Sequence, residues 1–172
     1  MTLQYPSGAE DVVVAELLYF AYGSNMDWSQ MQARCPASRF VCTASLDGHG
    51  LCFPRRSDRR GCGVASIAPL AGGVVWGVVY AVTAGDLDAL DGHEGYGPGR
   101  AASENRYNRR PIEVLPDGAA GQPMKVWTYV AVEQDGQPFL PNAGYHGQII
   151  AGAAHWGLPA DYLARLHALE RG

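Results

Sequence analysis

Val74-Val75-Trp76-Gly77-Val78-Val79-Tyr80-Ala81-Val82 carries no polar side chain on either face that a strand would present. Such a run is buried on both sides, which predicts a strand at the centre of a sheet. Outward from it, Thr83 is placed to cap a helix over 84–91, with Leu87 and Leu90 on one face and Asp86 near its positive end. Gly92 is expected to stop that helix. Upstream, further β-type segments fall near 39–46, 50–53 and 62–68. A short apolar run at 17–22 reads as a buried strand, and Asp27 with Gln30 suggests a capping box opening a helix through Arg34. Downstream, strands are expected near 106–115 and 124–133, separated by Pro116-Asp117-Gly118. Ile149, Ile150 and Ala153 then recur at helix spacing, and a last helix behind Pro159 carries Tyr162, Leu163, Leu166 and Leu169 on one stripe. Strands mostly in succession, with helices inserted, favour an α+β fold: a small, mostly antiparallel β-barrel with flanking helices. Residues 1–16 read as a flexible N-terminal arm and 17–172 as a single domain.

A chain of 172 residues with 47% hydrophobic content can build its core without disulfides or metal. Its net charge of −4 offers no overall case for binding nucleic acid. The four cysteines, Cys35, Cys42, Cys52 and Cys62, form no CxxC pair and sit in apolar company, so buried free thiols are expected. The N-terminus lacks a signal-peptide pattern, and no apolar stretch reaches the roughly 18 residues that span a bilayer. A cytoplasmic protein without membrane contact is expected.

Two segments could carry chemistry. Tyr22-Gly23-Ser24-Asn25 ends the first strand just before a helix. Glycine would let the backbone turn sharply, with positive φ available, and the following amides could converge on a carboxylate or a developing oxyanion. The same residues are also ordinary turn chemistry. The second segment is Leu90-Asp91-Gly92-His93-Glu94-Gly95-Tyr96. A glutamate between glycines can project into a cleft, where desolvation raises its pKa toward a working range, although many loop glutamates are simply solvated.

Read together, Tyr19-Phe20-Ala21-Tyr22-Gly23-Ser24-Asn25-Met26, Val75 through Tyr80, Leu90-Asp91, Glu94-Gly95-Tyr96, Tyr107, Tyr129, Tyr145, Gly152-Ala153 and Gly157-Leu158-Pro159 resemble, in order, the γ-glutamylcyclotransferase family. The resemblance spans about residues 17–166. It implies a barrel with a cavity at its mouth, no cofactor and no metal. The implied reaction is attack of the α-amine of a γ-glutamyl group on its own γ-carbonyl, releasing 5-oxoproline and an amine. Carried over by position, Glu94 is the catalytic acid/base. Tyr19, Phe20, Ala21, Tyr22, Gly23 and Ser24 form the substrate loop, Asn25 braces it, and Tyr145 contacts substrate. Tyr107, Tyr129 and His93 are further candidates. The implied partner is a small γ-glutamyl molecule, with a homodimer left open. Asn25 sets the chain apart from the branches that act on glutathione or on γ-glutamyl-lysine. Residues 97–106 run long for the family and suggest a lid or specificity loop.

The one basic cluster, Arg55-Arg56-Ser57-Asp58-Arg59-Arg60, reads as a solvated hairpin tip, or else as a reach toward an anionic substrate with extra carboxylates. His146, His155 and His167 lack metal-ligand spacing. Two rival functions stand beside the cyclotransferase: a serine amidohydrolase using Ser24 with a base such as His93, and a non-catalytic module that binds the γ-glutamyl group or another anion.

Overall fold

The computed structural model describes residues 16–118 and 121–172; the expected arm therefore lies, except for Glu16, outside the described residues. Five strands close into a barrel: β1 (Leu17–Ala21), β2 (Arg39–Ser57), β3 (Cys62–Val82), β4 (Tyr107–Pro116) and β5 (Met124–Ala131), in spatial order β1-β3-β2-β4-β5. All pairings are antiparallel except the closing one, where Tyr19 of β1 meets Trp127 of β5 in parallel. The helices are α1 (Trp28–Arg34), α2 (Ala84–Glu94), α3 (Ala143–His155) and α4 (Ala160–His167). None of the described helices is long and apolar enough to cross a membrane.

The doubly apolar run at 74–82 is indeed central. It pairs with β1 on one side and β2 on the other, and Val75, Val78, Val79 and Tyr80 are fully buried. Four expected strands are, however, two long ones. Segments 39–46 and 50–53 merge into β2, and 62–68 and 74–82 into β3. What looked like turns are bulges. Gly48, at φ +70, faces the looped-out stretch 70–73, so the ladder slips without breaking. Nearer the hairpin tip, Phe53 and Pro54 together face Ala65 alone. Pro54 has no N–H to give to the ladder, so a bulge is where it belongs.

Burial of the cysteines divides: Cys35 and Cys62 are buried, Cys42 and Cys52 half-buried, and all four are free. Thr83 and Asp86 form a true capping box at the start of α2. Asp27 caps α1 through the Ser29 amide, but Gln30 does not complete a box there; its side chain turns to Ser24 and Asn25 instead.

Helix α3 backs the loop that follows β1. The Trp156 indole N–H donates to the Met26 carbonyl at 2.8 Å, and a Cβ at Gly152 would lie 2.6 Å from the Met26 carbonyl carbon. In an exposed helix Gly→Ala adds up to about 1 kcal/mol of stability. Here the methyl would press on backbone that α3 cannot escape, and overpacking of this kind costs about 1–3 kcal/mol. Gly152→Ala is therefore expected to lower the urea midpoint; an unchanged or raised midpoint would show that α3 is not locked onto the loop.

Candidate active site

Glu94 is not on a free loop. Helix α2 runs through Gly92 and His93 and ends on Glu94, with Gly95 taking the left-handed C-cap conformation at φ +71. Gly92 does not stop it, because the ladder of backbone bonds carries on to the Gly95 cap. One turn back, Asp91 anchors this end of α2 to the barrel. Its carboxylate accepts from Arg109 of β4 at 2.9 Å and from the Tyr129 hydroxyl of β5 at 2.7 Å. The glutamate is thus projected from a rigid helix terminus.

The Glu94 carboxylate faces the loop after β1. Its Oε1 accepts from Asn25 Nδ2 at 3.3 Å and from Arg34 Nη1 at 3.2 Å. Asn25 is buried and fully used: Nδ2 also donates to the Tyr19 hydroxyl at 2.9 Å, while Oδ1 accepts from Gln30 at 2.9 Å and Arg34 at 3.0 Å. Among the described residues Oε2 of Glu94 has no protein partner. Gly23 sits at φ −117, so its value is not a left-handed turn. It lies instead where a Cβ would come within 3.3 Å of the Ala65 side chain. The Gly23 and Ser24 amides donate to no acceptor among the described residues.

Both segments open on one cavity of roughly 280 Å³, lined among others by Ser24, Arg34, His93, Glu94, Tyr107 and Tyr145. The β2–β3 hairpin lines it too: its tip is solvated, with Arg56, Asp58 and Arg59 exposed, yet residues 55–60 all border the cavity. The bulge bends the hairpin over the site, and segment 133–140 holds it there. Gln134 binds the Arg56 amide through Oε1 at 2.8 Å, and the Phe139 amide donates to the Phe53 carbonyl at 2.9 Å. Tyr145 and Tyr107 stabilise the bend itself. The Ala65 amide donates to the Tyr145 hydroxyl at 3.0 Å, and the Tyr107 hydroxyl donates to the Ala65 carbonyl at 2.8 Å.

Other expected residues serve from behind. Phe20 and Ala21 are buried, the Tyr22 hydroxyl donates to the Tyr129 carbonyl, and Tyr129 is engaged with Asp91; none of these four lines the cavity. Tyr19 acts only through Asn25. Of residues 97–106, Arg106 alone lines the cavity, and Asn105 ties the stretch down by accepting from the Gly97 amide at 3.0 Å. His93 lines the cavity but binds neither Glu94 nor Ser24. His146 is structural, its Nε2 lying 2.6 Å from the Leu166 carbonyl oxygen. Missed from sequence as site residues were Arg34 and Gln30, while Arg60 and Arg106 were included only within the basic cluster and the 97–106 stretch. Gln30 and Arg34 stand four apart on α1, one face of a helix, which was the available signal. Arg60 reaches Ser24 Oγ at 3.2 Å and Gln30 at 3.0 Å, and its guanidinium lies 4.6 Å from the centre of the Tyr145 ring.

Burial raises the pKa of Glu94, while Arg34, the Asn25 hydrogen bond, Arg106 and Arg60 pull it down. The balance is a carboxylate more basic than usual. Burial also pushes the Tyr145 phenol up to about 12, so it stays neutral. Burial, helped by Arg34 and Arg59, lowers the His93 pKa, which favours neutral imidazole. Among the described residues no group of three His, Cys, Asp or Glu side chains is arranged to hold a metal ion.

Known proteins share this arrangement of chain. The family described as gamma-glutamyl cyclotransferase, AIG2-like, matches residues 19–148. Gamma-glutamylcyclotransferase of Homo sapiens is 31% identical over 171 residues, covering 95% of this chain and 86% of that protein. The Mus musculus protein of the same name is 31% identical over 157 residues, covering 89% and 78%. A solved structure of a gamma-glutamyl cyclotransferase superposes with a TM-score of 0.81 at 28% identity, covering 91% of this chain and 89% of that one. The family match extends from β1 into α3, and on that ground the chain belongs to the AIG2-like gamma-glutamyl cyclotransferase family.

Proposed function

We propose that this enzyme cleaves γ-glutamyl amides by cyclisation, releasing 5-oxoproline and a free amine, with Glu94 as its acid/base. The observation that carries the reading is the asymmetry of the Glu94 carboxylate. Oε1 is fixed by Asn25 and Arg34, while Oε2 has no protein partner among the described residues and Glu94 lines the cavity. Nucleophile and electrophile belong to one substrate, so the protein's task is to hold them in a ring-like pose and to move protons. Oε2 takes a proton from the α-amine, whose nitrogen then attacks the γ-carbonyl carbon. The same oxygen returns the proton to the departing nitrogen as the old C–N bond breaks. An ordinary carboxylate is a weak base for an amine proton; burial of Glu94 narrows that gap, and the arginines keep it ionised. The open amides of Gly23 and Ser24 suit the developing oxyanion.

The amidohydrolase reading finds no support in the surroundings of Ser24. Its Oγ accepts from Gln30 at 2.9 Å and from Arg60 at 3.2 Å, and among the described residues no base approaches it. Four free thiols suit a reducing cytoplasm.

Glu94→Gln keeps the shape and loses the proton transfer. Turnover to 5-oxoproline is expected to fall about 10²–10⁴-fold, with γ-glutamyl ligand binding retained by calorimetry; near-wild-type turnover would move the proton shuttle elsewhere. Because the fold raises this pKa, Glu94 contributes most to stability when protonated, and that contribution is lost as pH rises through the folded pKa. At neutral pH the Gln variant is therefore expected to melt no lower than wild type.

The pH–rate profile should rise on a limb above the ordinary carboxylate range, since the base form is the active one. Arg34→Met removes a charge that favours ionised Glu94, so the limb is expected to move to higher pH; movement to lower pH would contradict the ion pair. Ser24→Ala, by contrast, should retain substantial turnover, because the hydroxyl only accepts, from Gln30 and the charged Arg60, and the backbone amide is kept. Loss of all activity together with a trapped acyl-enzyme in the wild type would restore the hydrolase.

A further inference from the structure

The hairpin that covers the site brings more positive charge than the reaction uses. Arg34, Arg55, Arg56, Arg59, Arg60 and Arg106 line one cavity against the carboxylates of Glu94 and Asp58, on a chain whose net charge is −4. Arg34 is committed to Glu94 and Asn25. Arg60 is committed to Ser24, Gln30 and Gln148. Arg55 and Arg106 each hold a carbonyl, of Val132 at 3.2 Å and of His93 at 3.3 Å. Among the described residues the guanidinium groups of Arg56 and Arg59 hold nothing, and neither forms an ion pair. Both are exposed, and both line the cavity that Glu94 at the end of α2 also lines.

A γ-glutamyl amino acid presents one α-carboxylate on its glutamyl half and one on its leaving half. Those two anions do not use up this wall. We propose that the leaving half carries a further acid group, so that the preferred substrate is a γ-glutamyl conjugate of an acidic amino acid, with Arg56 and Arg59 receiving the additional carboxylate. This rests on the cyclotransferase reading of the same cavity. Glu94 and the loop after β1 engage the glutamyl half, which directs the departing amine toward the hairpin. There Gln134 holds the Arg56 backbone amide, and Tyr145 and Tyr107 hold the Ala65 bulge. Planar two-pronged donors match a carboxylate, and a cationic cleft on an acidic protein concentrates anions at its mouth.

The test compares γ-glutamyl-glutamate, γ-glutamyl-aspartate, γ-glutamyl-alanine and γ-glutamyl-lysine. Turnover is read as 5-oxoproline, and binding is read separately by calorimetry on Glu94→Gln. The acidic conjugates are expected to exceed γ-glutamyl-alanine by about three- to tenfold in kcat/KM, chiefly through KM, and γ-glutamyl-lysine to fall below it. The advantage should shrink as salt is raised from 10 mM to 0.5 M, roughly a sevenfold shortening of the screening length. In Arg56→Ala/Arg59→Ala the acidic-over-neutral ratio should drop toward one, and in Arg56→Glu/Arg59→Glu it should invert. Circular dichroism and the melting midpoint establish that these exposed changes leave the fold intact. Equal or weaker binding of the acidic conjugates overturns the proposal whether or not turnover is seen. Acid-selective binding to Glu94→Gln with no 5-oxoproline from wild type would uphold the subsite and defeat the cyclotransferase reading instead.

Discussion

Everything at this site depends on holding a desolvated carboxylate by one oxygen. A buried acid with no partners would simply stay protonated, and one ringed by donors on both oxygens would be too weak a base. Asn25 and Arg34 meet only Oε1, and each is itself held. Asn25 is fixed by Tyr19, Gln30 and Arg34, and Arg34 rides on a helix whose N-cap is Asp27. The first strand, the first helix and the second helix are thus tied to a single oxygen atom. Their separate packing against the barrel is what gives that atom a defined place.

The barrel was legible because its central strand is apolar on both faces, which only a doubly covered strand tolerates. Helix α2 was legible from the Thr83–Asp86 box. Its end was not, since Gly92 and Gly95 look alike in sequence. The distinction lies in which one adopts positive φ, where distant residues bind: the Arg106 amide donates to the Gly95 carbonyl, and Arg109 to Asp91. The number of strands was misjudged for a related reason: glycine and proline mark bulges as readily as turns, and only the partner strand tells which.

Glu94, Ser24, Tyr107 and Tyr145 were singled out from local pattern and ordered resemblance, and the fold gathers them at one cavity. Patterns of that kind cannot show which atom a side chain uses. Tyr107 and Tyr145 look like substrate contacts in sequence; in the structure their hydroxyls are bonded to the Ala65 backbone, leaving their rings as walls. The arginines of the hairpin were legible only as the second of two readings. A run of charge reads as solvated surface until a bulge, invisible in composition, bends it over a cleft.

That bend has a kinetic meaning. A cover closed by flexible loops must open and shut in each cycle, and such motion often sets the turnover number. Here the cover is a continuous two-stranded ribbon whose kink is clamped by two tyrosines and whose stem is stitched to a neighbouring segment. To swing away it would have to break those contacts together. The enzyme therefore resembles an open-sided vice more than a jaw: small molecules diffuse in past a fixed rim, and the cost of ordering the site is met once, during folding, instead of at every encounter.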